Sequence, residues 1–217
     1  FGKASGWDAS VYASSLDGSN GFTVYGDAGD GAGYAVASAD VNGDRFDDVI
    51  IGAPRAEFSA GEVHVVFGRA FGWTASMEVS TLDGVRGFVV HGKDSSDMAG
   101  GSVAAGDVNG DGFADVIIGA ETANGAGDAV TQAGETYVLF GKAVGMWDDQ
   151  YQVSLLDGSN GFVVYGKEAF DESGCSVSAG DVNGDGYADV IIGVKKADGA
   201  GNDKTLAGEV YVVYGKR

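Results

Sequence analysis

One pattern constrains how this chain can fold: it repeats itself three times. Asp40-Val41-Asn42-Gly43-Asp44 returns as Asp107-Val108-Asn109-Gly110-Asp111 and again as Asp181-Val182-Asn183-Gly184-Asp185. A second mark, Phe1-Gly2, returns as Phe67-Gly68, Phe140-Gly141 and Tyr214-Gly215, at spacings of 66, 73 and 74 residues. A third, Leu16-Asp17-Gly18, returns as Leu82-Asp83-Gly84 and Leu156-Asp157-Gly158, each followed by Gly-Phe three residues on. A chain of 217 residues built this way is a stack of small units, each burying its apolar face on its neighbour. The repeats set units at 1–66, 67–139 and 140–217, the last closing on the opening mark of a next repeat. Between the acidic loop and the following Phe-Gly, the first repeat is six residues shorter than the others. The extra residues fall in 121–133 and 195–207, rich in Ala, Gly and Asp, which read as surface loops.

Each repeat reads as four short strands. In the first they are 21–26 (GFTVYG), 34–39, 49–53 (VIIGA) and 62–67 (EVHVVF). The VIIGA run, with counterparts at 116–120 and 190–193, is continuously apolar and predicts a strand covered on both faces. No segment carries a sustained helical period. Asn-Gly pairs at Asn20-Gly21 and Asn160-Gly161 suit hairpin turns. Four antiparallel strands per repeat, with a buried inner strand, is the plan of a β-propeller blade. The expected class is all-β: three four-stranded antiparallel blades, part of a larger or oligomer-completed propeller.

The chemistry lies in the first mark. Asp40, Asn42, Asp44 and Asp48 place side-chain oxygens at loop positions 1, 3, 5 and 9, and Phe46 offers a backbone carbonyl at position 7. The second loop repeats this with Asp107, Asn109, Asp111, Phe113 and Asp115, the third with Asp181, Asn183, Asp185, Tyr187 and Asp189. Three carboxylates crowded without a cation repel and raise one another's pKa. Calcium takes 6–8 oxygens in a flexible shell, so the expectation is one Ca²⁺ per loop. The opening resembles an EF-hand loop, but position 12 is Ile51, Ile118 or Ile192 inside a strand, so the last ligand is the Asp at position 9. Magnesium demands a stricter octahedron, and zinc wants Cys or His at ligand spacing, which these loops lack. Position 6 is Gly112 and Gly186 but Arg45 in the first loop. If the backbone there needs φ > 0, Arg45 costs on the order of 1 kcal/mol, and its charge sits beside the ion, so the first site is predicted to be the weakest.

Composition excludes other partners. With 32 Asp+Glu against 13 Lys+Arg the net charge is −19, which opposes nucleic acid and anionic membrane surfaces. No apolar run reaches the roughly 18 residues of a spanning helix. A lone Cys175 forms no internal disulfide.

A Phe-Gly at a strand end, the Asp-x-Asn-x-Asp loop and Gly52-Ala53-Pro54 resemble the FG-GAP repeat, which builds the seven-bladed propeller of integrin α subunits. The Gly-Ala-Pro mark drifts to Gly119-Ala120-Glu121 and Gly193-Val194-Lys195. The Leu-Asp-Gly-x-x-Gly-Phe run and the lack of disulfides are closer to bacterial members. The resemblance implies an extracellular or cell-surface, calcium-stabilised module for adhesion, recognition or assembly, without catalytic residues. Its partner would be a protein or carbohydrate. Because such propellers use more blades than three, it also implies further repeats, or copies of the chain that complete the ring. Two other readings stay open: a filament or coat component built blade to blade, and a propeller enzyme such as a lyase or hydrolase, whose site should break the repeat symmetry.

The symmetry-breaking residues are few. His64 and His91 stand where other repeats have Tyr137 and Tyr211, or Tyr25 and Tyr165, and read as substituted aromatics. Cys175 reads as a partly buried free thiol. Trp7, Trp73 and Trp147 recur at one repeat position, which favours packing between blades over a sugar platform. Asp17, Asp83 and Asp157 read as turn formers. The acidic loops 124–128 and 198–203 read as solvated.

Overall fold

The computed structural model describes residues 9–217, so the first Phe-Gly mark and Trp7 lie outside the described residues. Among those residues the regular structure is almost entirely β, with 14 strands in four sheets, one four-residue helical turn (Ala56–Ser59) and five short 3-10 turns. The strands from the first part of the chain are β1 (Thr23–Tyr25), β2 (Ala35–Ala39), β3 (Asp48–Ala53), β4 (Glu62–Val66), β5 (Ser76–Glu78) and β6 (Gly87–His91). They are followed by β7 (Ser102–Gly106), β8 (Asp115–Ala120), β9 (Glu135–Leu139), β10 (Gln150–Gln152) and β11 (Gly161–Tyr165). The last are β12 (Ser173–Gly180), β13 (Asp189–Val194) and β14 (Glu209–Val213).

Three sheets share one antiparallel plan: β2-β3-β4-β6, to which β10 adds in parallel outside β6, then β7-β8-β9-β11, then β12-β13-β14. Their first strands lie against one another, β2 on β7 and β7 on β12, so the sheets stack face to face. The middle strand of each is sealed. Ile50, Ile117, Val190 and Ile192 are fully buried, as a continuously apolar run demands when both faces are covered.

The strand grouping differs from the one expected. The 21–26 run does not join β2, β3 and β4. Among the described residues its strand, β1, pairs only with β5, in parallel, in the register Thr23↔Ser76. Its counterpart β6 pairs in parallel with β10 in the same way, and also joins the first sheet antiparallel to β4, with Val65 opposite Phe88. The outer strand is thus delivered by the repeat that follows, and the boundary at 66/67 falls inside a sheet. The third sheet accordingly has three strands, not four, since its outer position is the one a following repeat fills in the other two. The Asn-Gly pairs do not make two-residue hairpins either. The connection from β9 to β11 spans 140–160, and Gly161 opens a strand with φ of 150°. The turn before it is formed by Asp157, whose Oδ1 accepts the amides of Ser159 (2.9 Å) and, in the first repeat, by Asp17, which holds Ser19 (2.8 Å) and Asn20 (3.2 Å). Asp83 does the same for Val85 and Arg86, so these three acids are turn formers as expected.

The tryptophans pack between neighbouring units. Trp147 is buried and stacks on Phe88 with ring centroids 4.2 Å apart, meets Phe67 and Tyr151 edge-on, and donates Nε1–H to the Lys142 carbonyl at 2.8 Å. Trp73 stacks on Phe22 at 4.0 Å. The corresponding surface of the second sheet, where Phe140 and Phe162 stand for Phe67 and Phe88, forms a cavity of about 490 Å³ that Val213 and Tyr214 of the third sheet also line. Cys175 is a half-buried free thiol that donates to the Gly193 carbonyl at 3.3 Å.

Candidate metal centre

Each acidic loop joins the first strand of its sheet to the second, and all three close by the same hydrogen bonds. The position-1 carboxylate gathers the loop's amides. Asp40 Oδ1 accepts from Gly43 (2.7 Å) and Asp44 (3.1 Å), and its Oδ2 accepts from Arg45 (2.8 Å). Asp107 takes Gly110, Asp111 and Gly112, and Asp181 takes Gly184, Asp185 and Gly186, at matching distances. The amide of Gly186, with the other loop amides, holds the Asp181 carboxyl below its usual range. The position-3 amide oxygens of Asn42, Asn109 and Asn183 each accept the amide of the position-5 aspartate at 2.9 Å. The position-5 carboxylates of Asp44, Asp111 and Asp185 accept from Phe46, Phe113 and Tyr187. No loop or turn hydrogen bond among the described residues ends on the carbonyl oxygens of Phe46, Phe113 or Tyr187, which leaves them free to face a cation.

Position 9 is different, because it lies inside the protein. Asp48, Asp115 and Asp189 are fully buried at the start of the middle strand. One oxygen of each accepts an amide from its own loop: Val41 at 2.9 Å, Val108 and Val182 at 2.8 Å. The other accepts the amide of the glycine in the next Phe-Gly mark: Gly68 at 2.8 Å, Gly141 at 2.9 Å and Gly215 at 3.0 Å. The two sequence marks are therefore one structural unit. That position admits no side chain, since a Cβ on Gly68 or Gly141 would meet a backbone oxygen at 2.5 Å. Burial pushes Asp48 and Asp115 up to about 7, against the pull of these amides, with Asp44 and Asp40, or Asp111 and Asp107, adding repulsion.

Neighbouring loops touch. The position-7 ring of the second and third loops lies over the turn glycine of the preceding one, so that a Cβ on Gly43 would strike Phe113 at 2.4 Å and one on Gly110 would strike Tyr187 at 2.0 Å. Backbone bonds reinforce the contact, Ala114 to the Asp40 carbonyl at 3.0 Å and Ala188 to the Asp107 carbonyl at 2.8 Å. Burial falls along the series as a result: Val41, Val108 and Val182 are 0%, 3% and 59% exposed. Arg45 has φ of 73°, beside 92° for Gly112 and 91° for Gly186, so position 6 is left-handed in all three loops.

The donor set fits a hard cation. Each loop offers three carboxylates, an amide oxygen and an uncommitted carbonyl, and in two of them burial holds the position-9 carboxylate well above its ordinary range. The acidic loops at 124–128 and 198–203 stand apart from this set. Asp128 pairs with Lys93, and Asp198 accepts the amide of Leu206.

A different cluster went unnoticed in the sequence. Among the described residues, Glu57, Glu62 and His91 bring one ligand atom each within 4.8 Å of one another. Their only sequence signal is that both histidines of the chain replace tyrosines of other repeats.

The FG-GAP repeat model matches residues 32–66, 99–139 and 174–213, each span holding the first three strands of a sheet together with its acidic loop. Integrin alpha pat-2 of Caenorhabditis elegans is 32% identical over 196 residues, covering 85% of this chain and 14% of that protein. Phosphatidylinositol-glycan-specific phospholipase D of Bos taurus is 29% identical over 183 residues, 82% of this chain and 20% of the relative. Integrin alpha-V of Gallus gallus is 29% identical over 187 residues, 85% and 15% respectively. The chain spans a fifth or less of the length of these relatives.

Proposed function

Since the chain belongs to the FG-GAP repeat family, we propose that it is a calcium-binding β-propeller segment serving adhesion, recognition or assembly outside the cell or at its surface. The observation that carries the metal reading is geometric: a buried position-9 carboxylate, Asp48, Asp115 or Asp189, closes a loop that brings two further acids and a carbonyl with no loop or turn hydrogen bond; burial first, and then repulsion from those acids, pushes Asp48 and Asp115 up to about 7. A Ca²⁺ ion bound by Asp40, Asn42, Asp44, the Phe46 carbonyl and Asp48 offsets that repulsion. Asp107, Asn109, Asp111, Phe113 and Asp115 would hold a second ion, and Asp181, Asn183, Asp185, Tyr187 and Asp189 a third. The metal's work is structural. It locks the loop that anchors the Phe-Gly glycine and carries the ring lying on the neighbouring loop.

No reaction is assigned to this segment. Relatives named as integrin α and as phospholipase D share it, and a region common to both is better assigned to binding than to chemistry. A protein or carbohydrate is the proposed ligand. The assembly reading has support of its own in the apolar end faces. Tyr34 and Val36 are exposed at one end, and Val182, Val210 and Tyr214 at the other, each 59–66%. Surfaces of this kind are covered by further blades or by copies of the chain.

Thermal melting with and without calcium tests the metal role. A ligand that binds only the folded state stabilises it by about 2.7 kcal/mol per site at 100 times its dissociation constant. Three sites would thus raise the melting temperature by well over ten degrees. An unchanged melting temperature in saturating chelator rejects the reading.

A further inference from the structure

The three sheets carry the same acid at one end, Glu62, Glu135 and Glu209, and the second and third sheets surround it alike. Tyr137 donates its hydroxyl to Glu135 Oε2 at 2.6 Å, and Lys93 is close enough to favour the Glu135 carboxylate. Tyr211 and Lys167 stand at the same positions near Glu209. The first sheet departs from this plan at three places at once. His64 replaces Tyr137, His91 replaces Tyr165, and Asp27 replaces Lys93. Each change adds a group that binds metals, and the last removes a fixed cation.

The result is a carboxylate between two imidazoles. Glu62 Oε1 lies 3.1 Å from His91 Nδ1, and Glu62 Oε2 lies 3.5 Å from His64 Nε2. Glu57 Oε2 is also 3.5 Å from His91 Nδ1. Glu57 arrives there on the short Ala56–Ser59 turn, in the stretch where the other repeats carry their longer loops. The His64 side chain is 4% exposed and, beyond the 3.5 Å approach of its Nε2 to Glu62, has no hydrogen-bond partner at either ring nitrogen; His91 Nδ1 meets only the two carboxylates, and its Nε2 has no partner. Buried polar atoms are ordinarily satisfied, so a buried imidazole with no hydrogen bond, beside a carboxylate that a second imidazole and a second acid also face, calls for a further partner. Among the described residues no Lys or Arg forms an ion pair with Glu57 or Glu62.

We propose that Glu57, Glu62 and His91 bind a divalent transition-metal ion of the zinc class, with His64 positioning Glu62 from behind. The separations suit it. Nitrogen and oxygen ligands at roughly 2.0–2.1 Å from a tetrahedral ion stand about 3.3 Å apart, and the two contacts of His91 are 3.1 and 3.5 Å. Mixed imidazole and carboxylate donors prefer zinc, cobalt or nickel, whereas the all-oxygen loops prefer calcium. The site is therefore chemically separate from the three loops and does not depend on their occupancy. Three protein ligands leave a fourth position for water.

The test is Zn²⁺ titration by calorimetry on the whole chain in saturating Ca²⁺, with Co²⁺ substituted for an optical readout. One Zn²⁺ per chain is expected, and Co²⁺ at the site should show the intense visible bands of tetrahedral coordination. The double variant His64→Tyr, His91→Tyr installs the residues of the other sheets, which keeps folding intact while removing the imidazoles. It should abolish the tight site. Asp27→Lys restores the fixed cation and His64→Tyr alone removes only the positioning group; each should weaken Zn²⁺ about 10–100-fold, the range for groups around metal ligands. If the unaltered protein binds no Zn²⁺ in saturating Ca²⁺, or if the folded double variant binds it equally well, the proposal is overturned.

Discussion

Arg45 offers a clean measurement of what a single backbone conformation costs. It sits at φ of 73° where the other loops have Gly112 and Gly186, and its amide bonds to Asp40 Oδ2 at 2.8 Å just as the Gly112 amide bonds to Asp107 at 2.9 Å. Arg45→Gly therefore leaves the hydrogen bonding of the loop unchanged. Holding an L-residue in the left-handed region costs about 1–2 kcal/mol, and glycine returns roughly 0.5–1 kcal/mol of that through its freer unfolded chain. The expected net gain is about 0.5–1 kcal/mol, or roughly 1–4 °C in a chain of this size. The reverse exchange, Gly112→Arg, should lose a similar amount. Nothing lies within 4 Å of a Cβ built on Gly112, so no clash confuses the sign. Urea unfolding in chelator, read as a shift of midpoint at constant slope, isolates the backbone contribution from metal binding. A second reading in calcium should show the first loop of Arg45→Gly binding more tightly, since a positive charge has left the ion's surroundings. If Arg45→Gly is neutral or destabilising while Gly112→Arg is tolerated, position 6 is not strained and the ranking of the first site as weakest loses its basis.

Three further outcomes follow from the geometry. Trp147→Ala should cost about 3–5 kcal/mol, the range for emptying a buried aromatic site, and Trp73→Ala clearly less because that ring is only half-buried; equal losses in denaturant unfolding would contradict the packing role. Gly141→Ala forces a Cβ to within 2.5 Å of the Ala114 carbonyl and disturbs the amide that serves Asp115, so it should destabilise by about 1–3 kcal/mol and weaken calcium at the second loop, which a titration of the variant would read. Asp97 is pushed up to about 6 by burial, from an ordinary 3.8. A raised folded pKa means that its relative contribution is most favourable below about pH 4 and is lost as pH rises toward 6. Asp97→Asn should therefore gain about 1–2 kcal/mol at pH 7.5 after allowance for solvent screening, and the gain should vanish near pH 4 in paired melting curves.

The loops were legible because the signal was redundant. One Asp-x-Asn-x-Asp is turn chemistry as readily as a cation site, but three copies each leading into a doubly buried strand point to one design. The apolar runs fixed β3, β8 and β13 to within a residue, since a strand covered on both faces leaves no polar alternation to misread. What the repeats could not reveal was their phase. A periodic sequence looks the same wherever it is cut, and only the register Val65↔Phe88 shows that the outer strand comes from the next repeat. The Asn-Gly pairs misled for a related reason. They mark where a strand begins after a long connection, and the two-residue hairpin that they suggested needs its partner strand immediately before them, whereas 21 residues separate the end of β9 from the start of β11.

The histidines show the opposite limit. Taken singly, His64 and His91 are aromatic substitutions on strands, and nothing in their spacing suggests a shared site. They meet because β4 and β6 are antiparallel neighbours with Glu62 directly opposite His91, a pairing that depends on the same phase the sequence concealed. The repeat also explains why the cluster could arise without harming the fold. Glu135 and Tyr137 show that this end of a sheet already holds a buried, hydrogen-bonded acid, so exchanging the tyrosines for imidazoles alters the partner of a carboxylate that the architecture supports in any case. The acidic loops are under the contrary constraint. Each one anchors the Phe-Gly glycine through its buried aspartate, and the first two lie under the ring of the next loop, so a change in one is felt by its neighbour. Symmetry is expected to persist where units lock one another, and to break first at the end of a sheet, where a new ligand set disturbs nothing but itself.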